Sequence, residues 1–163
     1  MTSQNFIIRE ITPTDNSEIA NVVRSVIIEM GAPKVGTAYE DTATDKMFET
    51  YQKAKATYFV VLHKNKVIGG AGIAQLDNYE GNVCELQKMY FLPIARGKGL
   101  GTKLISICLE KAKEFGFKSC YLETLPYMKA AVKLYEKNGF IGLKKPMGNT
   151  CHYACNVWMI KHL

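Results

Sequence analysis

The sequence predicts a mixed α/β fold of the α+β type, a sheet covered by helices, and three observations carry that prediction. Short β-rich runs separated by turn residues crowd the stretch from residue 57 to residue 92. Strands and amphipathic helices then alternate towards the end of the chain. Between the two regimes sits a glycine-rich turn, Arg96-Gly97-Lys98-Gly99-Leu100-Gly101, joining a strand to a helix. Hairpins followed by a strand–helix–strand–helix–strand half imply a sheet with both antiparallel and parallel pairs.

Taken in order, Phe6 to Ile11 is a β-rich opening run that Pro13 ends. Ile19, Val22, Val23, Val26 and Met30 then recur at helical spacing, with Asp15 and Glu18 suited to the helix start and Gly31 and Pro33 to its close. A second, more polar helix is predicted from about Tyr39 to Ala54, because Tyr39, Ala43, Met47 and Tyr51 share one side. Thr57 to Leu62 reads as a strand, His63-Lys64-Asn65-Lys66 as a hairpin turn, and Val67 to Gln75 as the returning partner. Gly69, Gly70 and Gly72 weaken that return strand and point to a bulge or a close backbone approach. A polar tip, Asp77 to Asn82, leads into a strand from Cys84 to Leu92.

Beyond the glycine turn, Leu100, Leu104, Ile107, Cys108, Ala112 and Phe115 form a helical stripe that Gly116 stops. A strand follows over Lys118 to Thr124. Pro126 opens a helix whose Met128, Ala131, Val132 and Tyr135 share a face, and Asn138-Gly139 ends it. Phe140 to Leu143 and Cys151 to Ile160 read as two last strands joined by the loop Lys144 to Thr150.

Composition narrows the function classes. With 163 residues, 47% hydrophobic and 22% charged, the chain suits one domain spanning residues 1–163 and is too apolar for disorder. No apolar run approaches the roughly 20 residues of a membrane span, and Met1-Thr2-Ser3-Gln4-Asn5 does not resemble a secretory signal. Five cysteines cannot all pair, so a reduced, cytoplasmic setting is expected. The net charge of +6 suggests an anionic partner. That partner could be nucleic acid, a membrane surface or a phosphorylated cofactor; because Lys and Arg are spread along the chain rather than bunched, dedicated nucleic-acid binding is not expected.

The glycine turn is the place for that anion. Its three glycines let successive N–H groups point one way, the helix start adds partial positive charge, and Arg96 and Lys98 add full charges. The Walker spacing is absent, and Gly-x-Gly-x-Gly is not the dinucleotide fingerprint. A tight strand–helix connection without any ligand is the plain alternative.

Arg96-Gly97-Lys98-Gly99-Leu100-Gly101 resembles the Arg/Gln-x-x-Gly-x-Gly/Ala motif of the GNAT superfamily of N-acetyltransferases, and Met89-Tyr90-Phe91-Leu92-Pro93 resembles the strand that precedes it. Leu134-Tyr135-Glu136-Lys137-Asn138-Gly139-Phe140 is similar to that family's Leu-Tyr-Glu-x-x-Gly-Phe segment. The resemblance implies a mostly antiparallel sheet whose two central strands splay apart. It implies acetyl-CoA as cosubstrate, with the diphosphate on the turn (Arg96, Gly97, Lys98, Gly99, Leu100, Gly101, Thr102) and pantetheine along Met89, Tyr90 and Phe91. A backbone N–H near Met89 would stabilise the thioester oxyanion. Where many members carry a pantetheine-binding Asn, this chain has Tyr127-Met128.

The same resemblance assigns Tyr135 as proton donor to the leaving sulfur, against a plain packing role on its apolar helix face. It offers two carboxylates as base, Glu85 and Glu123, either of which could instead be an ordinary solvated carboxylate. On strand pitch Glu85 stands about 13 Å from Met89, so as base it would act through ordered water or on an amine reaching toward it. The implied activity is acetyl transfer to a primary amine, of a small molecule or a protein, by direct attack in a ternary complex. A non-catalytic acyl-CoA-binding module is the rival on the same fold, and a homodimer is left open. Cys151, His152 and Cys155 lack zinc-site spacing, so no metal is expected, although His152 and Tyr153 could line the acceptor pocket. The acidic group Glu40, Asp41, Asp45 and Glu49 reads as a solvated helix face, with attraction of a cationic amine as the competing role.

Overall fold

The computed structural model describes residues 5–126 and 128–163; residues 1–4 and Tyr127, on which two of the sequence arguments touch, lie outside the described residues. The strands are β1 (Phe6–Glu10), β2 (Thr57–His63), β3 (Lys66–Gln75), β4 (Val83–Phe91), β5 (Ser119–Thr124), β6 (Ile141–Leu143) and β7 (Val157–His162). The helices are α1 (Asn16–Glu29), the single turn α2 (Met47–Thr50), α3 (Leu100–Glu114) and α4 (Lys129–Lys137). All seven strands form one sheet in the order β1-β2-β3-β4-β5-β7-β6. Every pairing is antiparallel except β4 with β5. No helix among the described residues is long and apolar enough to cross a membrane.

The period-2 alternation of β2 divides the core. Tyr58, Val60 and Leu62 pack with Ile19, Val23 and Val26 of α1 on one face, while Phe59 and Val61 pack with Leu104 and Cys108 of α3 on the other. The hairpin turn is as predicted. Lys64 (φ 51°) and Asn65 (φ 64°) both take the left-handed conformation that a two-residue turn of matching twist requires. Glu18 does more than favour the start of α1: its carboxylate accepts the Val67 N–H at 2.7 Å and ties the helix to β3.

Two predicted elements are corrected. In place of a helix over Tyr39–Ala54, the chain makes a 3-10 turn at Thr42–Asp45 and then only the single turn α2. Side chains intercept the backbone there: Thr37 and Thr44 donate their hydroxyls to the carbonyls of Pro33 and Ala38, and Glu40 accepts the Gly36 N–H. These local bonds offer the backbone an alternative to the helix, and Lys46, at φ −133° and ψ 49°, interrupts whatever helix remains. The second correction concerns the last strand, which begins at Val157 rather than Cys151. Cys151 (φ 64°) turns residues 151–156 out of the sheet as a loop. A smaller difference is that α4 starts at Lys129, three residues after Pro126.

The centre of the sheet is deliberately incomplete. β4 and β5 pair in parallel only at Val83–Ser119, Cys84–Cys120 and Glu85–Tyr121. Beyond Glu85 the strands diverge, β5 staying with β7 and β4 with β3. The register of β3 with β4 slips between Gly70 and Gly72: Gly70 faces Tyr90, Gly72 faces Gln87, and two residues, Lys88 and Met89, stand opposite Ala71 alone. That is a β-bulge, and its Lys88 is forced to φ 48°. The glycines opposite explain how the sheet tolerates it. A Cβ on Gly70 would lie 2.7 Å from the Tyr58 hydroxyl oxygen, and one on Gly72 would lie 2.6 Å from the Tyr58 ring.

Because backbone as well as ring atoms crowd these positions, Gly70→Ala and Gly72→Ala should each destabilise the fold by about 1–3 kcal/mol. Thermal and urea unfolding would measure it. An unchanged midpoint would mean that Tyr58 swings clear without loss.

Candidate functional site

The glycine turn has the unpaired amides that the sequence predicts. Gly97 (φ 72°) and Gly99 (φ 75°) take left-handed conformations, and α3 begins at Leu100 directly after them. The Arg96 N–H is used within the loop, bonding the Pro93 carbonyl at 3.1 Å, and the first bond of the helix runs from Lys103 to Gly99. Among the described residues, the six amides from Gly97 to Thr102 donate to no protein group. A Cβ on Gly97 or Gly99 would meet nothing within 4 Å, so the outer surface of the turn is open. Gly101 serves packing instead, since a Cβ there would lie 2.6 Å from Leu134 of α4.

The two cations of the turn have separate surroundings. The Arg96 guanidinium grips Glu29 at the end of α1 with bonds of 2.7 and 2.8 Å, and it also donates to the Phe91 carbonyl. It braces the turn against β4 and α1, and Glu29 takes up much of its charge. Lys98 lines a different groove, beside Phe6 and Ile8. Leu100 is buried in the core, and the Thr102 hydroxyl is within 3.4 Å of the Asn138 amide.

Three cavities meet at the splay. A groove of about 420 Å³ runs from the glycine turn along Met89, Tyr90 and Phe91 of β4 and is walled by Met128, Leu134 and Tyr135. A pocket of about 300 Å³ opens on the other side, with Asp41, Asp77, Glu85, Lys88, Glu123 and His152 in its lining. Between them lies a constriction of about 50 Å³, bounded by Lys88, Met89 and Tyr90 of β4, Glu123 and Thr124 of β5, and Tyr135 and Cys155. Tyr135 lines the groove and the constriction, Glu123 the constriction and the pocket, and Tyr90 all three. Glu85 lies in the pocket alone.

The carboxylates differ by environment. Glu85 is 5% exposed. Burial first, and then the charge of Glu123, push its carboxyl up to about 7 against the opposing pull of the Gln87 amide, which donates to it at 2.7 Å. Glu123 has both oxygens taken, one by the Tyr121 hydroxyl at 2.6 Å and the other by the Thr150 hydroxyl. Asp41 is the residue that sequence reasoning placed on a solvated face. It instead holds His152 at 2.7 Å and Lys88 at 3.5 Å inside the pocket. Its burial would raise its pKa, but His152 and Lys88 outweigh that and lower it. Burial likewise disfavours the His152 imidazolium, and Asp41 reverses the balance to raise its pKa.

Tyr135 is 7% exposed, and burial keeps its phenol protonated well above the usual tyrosine range. Burial also pushes the Cys155 thiol up to about 12, so that cysteine is no thiolate at neutral pH. His152 lines the pocket as anticipated, whereas Tyr153 is 73% exposed and does not. Neither Asp41 nor Lys88 carried a motif, and only the tertiary pairing of Asp41 with His152, 111 positions on, and with Lys88 of β4 reveals them.

A row of free amides and a pocket of ionisable groups thus both border the gap between β4 and β5. Residues 27–140 match the model of the Acetyltransferase (GNAT) family, and the chain belongs to that family. It is 43% identical over 161 residues to the uncharacterised N-acetyltransferase YjgM of Escherichia coli, covering 98% of this chain and 96% of that one. Over 82 residues, half of either chain, it is 32% identical to an IAA acetyltransferase of Azospirillum brasilense. Among solved structures, a GNAT-family acetyltransferase of Staphylococcus aureus superposes with a TM-score of 0.84 at 20% identity over 98% of this chain and 99% of its own. The yncA protein of Salmonella typhimurium, solved with its cofactor acetyl-CoA, gives 0.77 at 19% identity over 97% and 94%. The protein is an acyltransferase.

A carboxyl that keeps its proton to about pH 7 when folded, and loses it near 4.5 when unfolded, makes the fold less stable as pH rises through that window. Glu85→Gln should therefore raise stability at pH 8, by about 3 kcal/mol at most, and leave it nearly unchanged at pH 4.5. Unfolding at both pH values would show it. Equal effects at the two would mean that Glu85 is not held protonated by the fold.

Proposed function

We propose that the protein transfers the acetyl group of acetyl-CoA to a primary amine by direct attack in a ternary complex. The observation that carries this reading is the meeting of the two large cavities at Tyr90, through a constriction bounded by Met89, Glu123 and Tyr135. The amides of Gly97 to Thr102 would hold the diphosphate, which suits a helix start with unpaired N–H groups. The edge of β4 over Met89 and Phe91 would receive pantetheine as an added strand. The N–H of Met89 would then face the thioester oxygen, where negative charge develops.

The amine enters from the pocket that contains Glu85. As its nitrogen attacks the thioester carbon, a C–N bond forms, the C–S bond breaks and the amine loses a proton. Glu85 is the better base of the two candidates, because Glu123 already accepts two hydroxyl hydrogen bonds and Glu85 only one amide bond. Tyr135, which burial keeps protonated, would donate to the sulfur as the C–S bond breaks and regain its proton from solvent. The products are an N-acetylated amine and CoA thiol.

Release of CoA thiol across a panel of amines tests the activity and finds the acceptor. With a competent amine, kcat/KM should rise with pH through about 7, as Glu85 loses its proton, and then level off. Glu85→Gln should flatten that limb. Tyr135→Phe should lower kcat by about ten- to a hundredfold with calorimetric affinity for CoA unchanged. A variant pair that binds CoA and turns over at the wild-type rate would remove both residues from the chemistry.

A further inference from the structure

The β4 bulge is braced by a side chain from two strands away. Tyr58 stands on β2, on the face covered by α1, and its ring crosses β3 over Gly70 and Gly72. Its hydroxyl then reaches β4 and donates to the Lys88 carbonyl at 2.8 Å. The span is possible because neither glycine presents a Cβ beneath the ring. At 1% exposure, a tyrosine whose only task was to fill space could as well be a phenylalanine, with no hydroxyl to satisfy.

The carbonyl chosen matters. The Lys88 C=O and the Met89 N–H belong to one peptide unit, which is planar and trans, so they point in opposite directions. A hydroxyl that holds the carbonyl turns the N–H the opposite way, and Met89 lines the groove shared by Tyr135 and walled by α1, α3 and α4. It also polarises the peptide and makes that N–H a stronger donor. Lys88 is held at φ 48°, a conformation unfavourable for a side chain of this kind, and the hydrogen bond offsets that strain. Ring contact with Tyr51 at 5.1 Å fixes the Tyr58 ring from the side, and the Tyr51 hydroxyl in turn donates to Gln87, the partner of Glu85.

We infer that Tyr58 is a positioning residue for acetyl transfer, holding the Lys88–Met89 peptide so that the Met89 N–H is aimed at the thioester oxygen. This rests on the donor placement proposed above and extends it to a residue that touches neither substrate.

The thioester carbonyl itself reports on the idea, without any need for the acceptor. Infrared spectra of acetyl-CoA labelled with ¹³C at the carbonyl should show a lower stretching frequency when bound to the wild-type protein than when free. Tyr58→Phe should move the bound frequency back by at least half of that shift. It should also lower kcat about three- to tenfold while changing the KM for acetyl-CoA less than twofold. Incorporation of 3,5-difluorotyrosine at position 58 keeps the packing and strengthens the donor, so it should lower the frequency further. Burial holds the Tyr58 phenol far above the usual range and keeps the fluorinated hydroxyl protonated.

If the wild type left the frequency at its free value, the donor placement itself would fall, and this inference with it. If the wild type shifted the frequency but Tyr58→Phe kept the full shift, the inference alone would fall. Should Tyr58→Phe fail to fold, the fluorinated protein decides: a frequency equal to that of the wild type overturns the role of Tyr58.

Discussion

The structure depends on a pairing that stops early. β4 and β5 share three residue pairs and then part, although both run on for several residues. Two central strands that diverge leave backbone edges facing a gap, a costly arrangement unless something occupies or seals it. The sheet supports the divergence from both sides. On one side β5 is held through six consecutive pairs to β7, and on the other β4 is held to β3 through a bulge that absorbs the change of direction. The glycine turn follows β4 and precedes α3, so the same divergence that opens the gap also places unpaired amides at its mouth. The gap and the row of unpaired amides are thus consequences of one departure from regular pairing.

Much of this was legible in the sequence, for identifiable reasons. The order of strands and main helices follows from period-2 and period-3.6 patterns, and α1 and α3 carry apolar stripes long enough to be unambiguous. The glycine turn was legible because its backbone demands leave a mark in residue type. The stretch from Tyr39 to Ala54 was not. Its apolar spacing is helical, but hydroxyl and carboxylate side chains capture the backbone first, and that competition is invisible to periodicity. The loop from Cys151 to Asn156 failed for a backbone reason: Cys151 turns at φ 64°, which leaves Cys151 and Tyr153 exposed while His152 and Cys155 line the pocket.

Side chains that act by tertiary contact were the least legible. Arg96 belongs to a recognisable motif, yet nothing in that motif named Glu29 and the Phe91 carbonyl as the partners of its guanidinium. Asp41 belongs to no motif and is the hub of the pocket wall, linking the loop after α1 to His152 before β7 and to Lys88 on β4. Gly70 and Gly72 announced a close approach, but nothing near them named Tyr58, twelve and fourteen positions earlier, as the group that approaches.

The three carboxylates Asp41, Glu85 and Glu123 of the polar pocket show how partner count sorts like groups into different surroundings. Asp41 faces two cations, so its negative charge is neutralised where it stands and serves to join loops. Glu123 accepts two hydroxyl hydrogen bonds, one at each carboxylate oxygen. Glu85 has one neutral amide donor and is almost wholly buried, which weakens its hold on charge and brings proton uptake into the neutral range. A base for a protonated amine must accept a proton at working pH without being so stable as a carboxylate that it declines it. On the function proposed above, that duty would fall to Glu85, which has the fewest hydrogen-bond partners of the three. The pairing of β4 with β5 puts it there: Glu85 is the last residue of β4 in register with β5, so it is buried by the closed part of the sheet and borders the part that opens.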